Sequence, residues 1–255
     1  MSSISIAFLS IIETMRRKEF YVILILILGL AVWMAILDTS MPGSGRFAKQ
    51  VVMQVVWLVS VALAVSLSAR QVPNDLEQKT VYVLMSRPIT RMQYIIGRIL
   101  GAMFASIICF TSLFLVLILM MLLKGIPGIT DAALWQSYTL QVAAITLICS
   151  ITVLFSVAGT SAGAVTLMLL IYAVMRYWGF SIPAKIEVML PLFKMPVWFI
   201  YLLMPHFEFL DISQRVVHSM GVLPFKIFLS VMIYAVAYSI FVSTAASMIF
   251  RKRRL

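Results

Sequence analysis

Long apolar stretches constrain the fold of this chain more than any other feature of its sequence. The clearest one runs from residue 99 to residue 123 and contains no charged residue. A helix needs about 20 apolar residues to cross the hydrocarbon core of a membrane. Hydrophobic residues make up 63% of the chain and charged residues only 11%, which is more apolar surface than one soluble core would hide. The chain is therefore predicted to be an integral membrane protein.

The predicted fold is a single all-α transmembrane domain that covers residues 1–255 and has six transmembrane helices. The predicted spans are residues 20–37, 51–68, 99–123, 132–157, 164–178 and 227–250. Residues 2–18 carry apolar side chains at helical spacing, with polar ones between them, and end in three basic residues. We expect them to form an amphipathic interfacial helix in the headgroup region, and an extended first span is the alternative.

The segment 179–226, between the last two predicted spans, is too long for a simple turn. Its apolar run, residues 188–204, is interrupted by Pro191, Lys194 and Pro196. A proline breaks the helical hydrogen bonding and a lysine is costly inside a bilayer, so a full crossing is not expected. The sequence predicts an external loop with short helices that either re-enter the outer leaflet or lie on it. A seventh span is the alternative, and it would put the two termini on opposite sides.

Basic residues lie beside the span ends mainly on one side of the predicted membrane. They are Arg16, Arg17, Lys18, Arg70, Lys79, Arg87, Arg91, Arg98 and residues 251–254. The positive-inside rule makes this side cytoplasmic, so both termini and the segment 69–98 are predicted to lie in the cytoplasm. The basic C-terminus is expected to rest on anionic membrane lipid, because no nucleic-acid motif accompanies it.

The segment 69–98 is the only long polar stretch between two strongly apolar ones. Asn74 and Glu77 have the spacing of a capping box, and so do Thr90 and Gln93. The first box predicts a short cytoplasmic helix over residues 74–86, which ends before Pro88 because a proline disfavours helix at the preceding residue. The second box predicts that a new helix starts after Thr90. A short helix held between two spans could transmit force from a partner outside the membrane.

Motifs for catalysis are missing from the sequence. There is no Walker A pattern, so the chain has no phosphate loop of its own for ATP. His206 and His218 have no cysteine near them, which gives little support to a metal site. Glu208 and Asp211 stand among aromatic residues, which favours loop packing over acid–base chemistry. We expect a non-catalytic membrane subunit with no cofactor or metal in this chain.

Several motifs are similar to those of ABC transporter permeases of the type-2 export class. They are Asp75-Leu76-Glu77-Gln78-Lys79-Thr80, then Leu84-Met85-Ser86-Arg87-Pro88-Ile89-Thr90-Arg91, and then Gly97-Arg98, where lysine is usual in place of Arg98. Residues 201–212 resemble the Leu-Pro-Asn-Phe-Glu-Phe-Phe-Asp segment of one branch of that family, with His206 in place of Asn. The similarity covers essentially the whole chain.

The resemblance implies an ATP-driven export permease of a bacterial inner membrane. It would pair with a second or homologous permease, along the second and fifth spans, and with a cytoplasmic ABC ATPase subunit that binds ATP and Mg²⁺. The helix 74–86 would then be the coupling helix, and the residues at the ATPase interface would be Asp75, Glu77, Thr80, Arg87, Pro88 and Arg91. The external gate loop would contain Pro205, His206, Phe207, Glu208 and Asp211.

The motifs leave other assignments open. The alternative function is a membrane anchor or scaffold in an ATPase-driven envelope or motility machine that moves no solute. A periplasmic or accessory subunit is compatible with either function. Polar side chains facing a shared cavity, such as those of Gln54, Ser60, Gln136 and Gln141, would favour transport.

Overall fold

The computed structural model describes residue 29 and residues 45–77, 90–123, 131–188, 191–218 and 220–252. These residues form helices and connecting turns, with no strand among them. Five helical stretches within these ranges are long and apolar enough to cross a membrane. The chain is therefore a multi-pass helical protein. The predicted amphipathic helix 2–18 and first span 20–37 lie outside the described residues, except for Gly29, which is helical.

Five long helices form the bundle. They are α1 (Gly45–Glu77), α2 (Arg91–Leu123), α3 (Ala132–Ala158), α4 (Ser161–Trp178) and α8 (Phe225–Lys252). A helix is thus present at each predicted span from the second to the sixth, and each is long and apolar enough to cross a membrane. Most extend several residues beyond the predicted apolar stretch.

Helix α3 lies at the centre of the bundle and packs against α1, α2, α4 and α8. In its most apolar stretch 78% of the residues are buried, compared with 17% in α8. Since the apolar residues of α8 remain mostly exposed, α8 is placed at the periphery, where lipid would cover it.

The long helices alternate in direction, which gives the bundle two ends. Glu77, Arg91 and Lys252 lie at one end, where α1 contacts α2 and the start of α2 contacts the end of α8. We call this the tail end. The opposite end holds Trp178 and residues 204–218 and 220–224, which pack on α3 and α4. We call this the loop end.

The two predicted capping boxes have different outcomes. The Thr90 box is confirmed, since the Gln93 N–H donates to Thr90 Oγ1 at 3.2 Å and the Thr90 N–H donates to Gln93 Oε1 at 3.1 Å. The prediction that Asn74 starts a new helix is wrong, because α1 continues through Pro73 and Asn74 to Glu77. The remainder of the predicted coupling helix, residues 78–86, lies outside the described residues.

The segment between α4 and α8 is largely helical. A 3-10 turn, Gly179–Ser181, joins α4 to α5 (Ile182–Val188), so the helical path extends past the predicted start of the external loop at residue 179. Then come α6 (Pro191–Leu203), a second 3-10 turn (Phe207–Leu210) and α7 (Ser213–Val217).

Helix α6 is the element that the alternative of a seventh span would require. It has 13 residues. At 1.5 Å per residue its described residues span about 20 Å, less than a hydrocarbon core of about 30 Å. The helix therefore fits the prediction of short helices in this segment better than a seventh span. Its position at the outer leaflet stays a prediction.

Candidate functional site

A buried polar cluster joins the two helices that flank the segment 78–89. Asp75, in the last turn of α1, accepts hydrogen bonds from the hydroxyl of Tyr94 and from Nη2 of Arg98, both on α2. The Arg98–Asp75 distance is 2.5 Å, and the two side chains are only 4% and 5% exposed. The carboxylate thus neutralises a guanidinium that would be costly to bury alone.

The end of α8 covers this cluster. The ring of Phe250 lies 5.6 Å from that of Tyr94, and both residues are fully buried. Arg91, the first residue of α2, donates from Nη1 to the carbonyl oxygen of Arg251 at 3.1 Å. The tail ends of α1, α2 and α8 are therefore held together by polar and aromatic contacts.

The predicted ATPase-interface residues lie in different environments. The carboxylate of Asp75 is already bound inside the chain, whereas Glu77, the last residue of α1, is exposed. Arg91 is partly exposed at the start of α2. Thr80, Arg87 and Pro88 lie outside the described residues. Asp75 therefore connects two helices inside the chain, whereas Glu77 and Arg91 are more accessible at the surface.

At the loop end, the structure brings together the five predicted gate residues. Pro205, Phe207 and Glu208 are buried, and His206 and Asp211 are partly buried. They lie against helices that are distant in sequence, so this segment is a packed cap on the bundle.

An ion pair fastens this cap to α4. Arg176, in the last turn of α4, pairs through Nη2 with Oδ2 of Asp211. The other oxygen of Asp211 accepts from the backbone N–H of Ser213, the first residue of α7, at 2.9 Å. Asp211 therefore links the end of α4 to the start of α7.

Glu208 lies directly over Gly179, at the start of the 3-10 turn after α4. Its Oε1 accepts from the hydroxyl of Tyr201 at 3.3 Å, and its Oε2 is buried with no hydrogen-bond partner in the described part of the chain. Burial raises the pKa of the Glu208 carboxyl. A Cβ atom at Gly179 would collide with this carboxyl group, so a larger residue there would force the Glu208 side chain to move.

Aromatic rings complete the cap. The ring centroid of Phe207 lies 5.4 Å from that of Tyr172, on α4, which in turn contacts Trp57, on α1. The backbone N–H of His206 donates to the hydroxyl of Tyr234, on α8, at 3.0 Å. Burial lowers the pKa of His206. The loop end thus contacts α4 and α8 through these residues, and it contacts α1 through α7.

The sequence does not predict several of the residues that complete these clusters. They are Tyr94, Arg176, Gly179, Tyr201 and Tyr234, together with the pairing of Arg98 to Asp75. Arg176 carried a usable signal, because it is the only charged residue in the stretch 164–178 and a charge within a span calls for a partner. The tyrosines carried none, since each meets its partner through long-range packing.

The arrangement holds helices together rather than presenting an obvious reactive group. Within the described ranges, no three His, Cys, Asp or Glu side chains are placed to hold a metal ion. Comparison with protein-family models gives no match, and comparison with curated proteins gives none either.

Proposed function

We propose that this chain is the membrane-spanning permease subunit of an ATP-driven ABC exporter. It works as a dimer of permeases with a separate cytoplasmic ABC ATPase, which binds ATP and Mg²⁺. The membrane is a bacterial inner membrane, and the tail end faces the cytoplasm. The observation that carries the proposal is the Asp75–Arg98 pair, which ties α1 to α2 on either side of the motif-bearing segment 78–89.

The buried pair suggests how force would reach the membrane. An ATPase that displaces the segment 78–89 acts on α1 and α2 together, because separating them would break a charge pair in a medium of low dielectric constant. Movement of α1 is passed to α4, since the two helices pack against each other and Trp57 contacts Tyr172. The arrangement converts a push on one cytoplasmic segment into motion of a helix group.

Exposed leucines on these helices offer a surface for the second permease. Leu58 on α1 and Leu167 and Leu170 on α4 are each more than half exposed. In the proposed cycle, ATP binding draws two ATPases together and opens the interface between the α1–α4 surfaces. The cap at residues 205–211 then acts as the external gate, because the Arg176–Asp211 pair attaches it to α4.

The test is purification of the chain from its native membrane in mild detergent, followed by mass spectrometry of the proteins that accompany it. We expect a Walker-motif ATPase in near-equal amount, lost in the double variant Glu77→Arg/Arg91→Glu. Lys226→Glu is the matched control, because Lys226 is exposed at the opposite end of the bundle. Absence of an ATPase, or unchanged ATPase association and substrate-dependent hydrolysis in the double variant, would refute the proposal.

A scaffold without a transported solute is the second candidate, and one observation favours it. Gln136 bonds to the backbone of Leu223 through both ends of its amide, at 3.2 and 2.9 Å, and Ser60 donates to the carbonyl of Trp57 at 2.8 Å. These two polar side chains therefore bond within the subunit, whereas polar side chains that face a shared cavity would favour transport.

Labelling of Leu58→Cys with a membrane-impermeant maleimide separates the two candidates. Reaction that increases when ATP is added indicates an interface that opens to water, as transport requires. Protection in every nucleotide state indicates a dry seam, as a scaffold requires. Phe241→Cys, on the exposed face of α8, is the control for the reagent's access to a bilayer-facing position.

A further inference from the structure

An apolar groove of about 360 Å³ runs between α2 and α8, with α3 as its floor. Its walls include Ile96 and Met103 on α2 and Val236, Ile240 and Thr244 on α8, and Thr146 contributes to the floor. The stretch from Ile96 to Met103 is about 10 Å long at 1.5 Å per residue. The groove is thus an elongated channel parallel to the helices.

The hydroxyl groups that line the groove are satisfied by their own helix. Ser239 donates to the carbonyl of Ala235 at 2.8 Å, Ser243 to that of Ser239 at 2.7 Å, and Thr244 to that of Phe241 at 2.7 Å. They offer no free donor to an occupant, so the groove suits hydrocarbon better than a polar solute.

Two arginines lie beyond the tail end of this groove. Arg91 precedes Ile96 by five residues, and Arg251 follows Thr244 by seven. Positions seven apart share a helix face, so Arg251 lies on the same side of α8 as Thr244. The hydrogen bond from Arg91 Nη1 to the Arg251 carbonyl places both residues where α2 and α8 meet. Five to seven helical residues correspond to about 7–10 Å.

We propose that this groove binds an anionic phospholipid of the leaflet at the tail end. One acyl chain lies between α2 and α8, and the phosphate lies at Arg91 and Arg251. The distance of about 7–10 Å between the groove and the two arginines is close to the thickness of the headgroup region of one leaflet, which is about 5–8 Å. The charge fits as well, since basic side chains beside a membrane attract anionic lipid. This site does not depend on whether the chain is a permease.

The test is native mass spectrometry of the full chain in detergent, titrated with phosphatidylglycerol or phosphatidylcholine. We expect a bound phosphatidylglycerol that resists detergent exchange better than phosphatidylcholine. Arg91→Gln and Arg251→Gln should each weaken phosphatidylglycerol binding by about fivefold, with little effect on phosphatidylcholine. Lys226→Gln removes an exposed charge from the other end of α8 and should leave both lipids unaffected.

A second variant tests the acyl-chain part of the site independently. Ser243→Phe places a ring in the groove and should weaken binding of both lipids, whereas Ala237→Phe, at an exposed position of α8 that does not line the groove, should not. Equal binding of the two lipids by the unmodified chain would overturn the proposal. Unchanged phosphatidylglycerol binding by the double variant Arg91→Gln/Arg251→Gln would also overturn it. So would unchanged binding by Ser243→Phe, which would indicate that another part of this chain or a second copy fills the groove.

Discussion

Asp75 and Arg98 form a buried ion pair that connects the end of α1 to the first turns of α2. Their Oδ1 and Nη2 atoms are 2.5 Å apart, and neither side chain is more than 5% exposed. Each charge is tolerated at this depth because the other is present, so the loss of one partner is far more costly than the loss of both.

We expect Asp75→Asn to lower the free energy of unfolding by about 3–5 kcal/mol, because it leaves the Arg98 charge buried without its counterion. The double variant Asp75→Leu/Arg98→Leu should recover much of this loss. Thermal unfolding in detergent measures both effects. Glu77→Gln, at an exposed position two residues away, should change stability by no more than about 0.5 kcal/mol. Equal effects of Asp75→Asn and Glu77→Gln would contradict the structural role of the pair.

The start of α2 depends on the Thr90 side chain, which accepts the Gln93 N–H. Thr90→Ala should cost about 1 kcal/mol, the usual effect of removing an N-cap side chain. Thr90→Ser keeps the hydroxyl and serves as the control. Hydrogen exchange of the amides in the first turn of α2 would locate the loss. Uniform destabilisation without faster exchange there would contradict a local capping effect.

The two capping boxes show how far local sequence predicts this fold. Thr90 and Gln93 form the predicted reciprocal bonds, whereas the identically spaced Asn74 and Glu77 lie inside α1. The difference lies in tertiary packing. Val72 and Asp75 are buried, and the pairing of Asp75 with α2 favours continuation of α1 past the local start signal. Sequence spacing contains no information about that partner.

The long helices could be predicted because membrane spans need apolar residues over a fixed length. The loop end was predicted in part. Its five predicted residues gather in one cap, but Arg176 and Tyr234 reach them from α4 and α8. Such contacts depend on helix rotation and packing, which apolarity alone does not determine.

The contact with Glu208 is what disfavours a larger residue at Gly179, because the backbone conformation there is right-handed helical and suits any residue. Gly179→Ala places a Cβ atom against the buried carboxyl group and should cost about 1–3 kcal/mol, as overpacking usually does. The double variant Gly179→Ala/Glu208→Ala should be more stable than the sum of the single effects predicts. Additive effects in thermal unfolding would show that the two residues do not touch. Gly159→Ala is the control, because its nearest atom would be at an ordinary distance of 3.6 Å.

The raised pKa of Glu208 predicts a pH dependence of stability. Above the ordinary value of 4.5, the unfolded chain loses this proton while the folded chain keeps it. The folded state then binds more protons, so stability should fall as pH rises from 4.5 to the raised value.

Glu208→Gln should remove this decline, and Glu187→Gln, at an exposed position, should not. Thermal midpoints measured across this range test it, and parallel curves for Glu208→Gln and the unmodified chain would contradict it. His206, whose lowered pKa gives the opposite slope below 6.5, is retained in all three proteins.

The Arg176–Asp211 pair should determine how often the cap at the loop end opens. Asp211→Asn removes the ion pair with α4 and weakens the bond to the Ser213 N–H. A hydrogen bond to a charged group contributes about 1.5–3 kcal/mol. Its loss should increase the open fraction by about 10- to 100-fold, at about 1.4 kcal/mol for each factor of ten.

The probe for this opening is a cysteine at Val216 of α7, the helix that directly follows the cap and whose first residue bonds to Asp211. The Val216 side chain is only 2% exposed, and the cysteine is labelled with a thiol reagent. Arg215→Gln, at an exposed position in the same helix, should leave labelling unchanged, and the exchange Arg176→Asp/Asp211→Arg should restore part of the protection. Labelling of Val216→Cys at one rate in the presence and absence of Asp211→Asn would show that the cap is held by its aromatic packing alone.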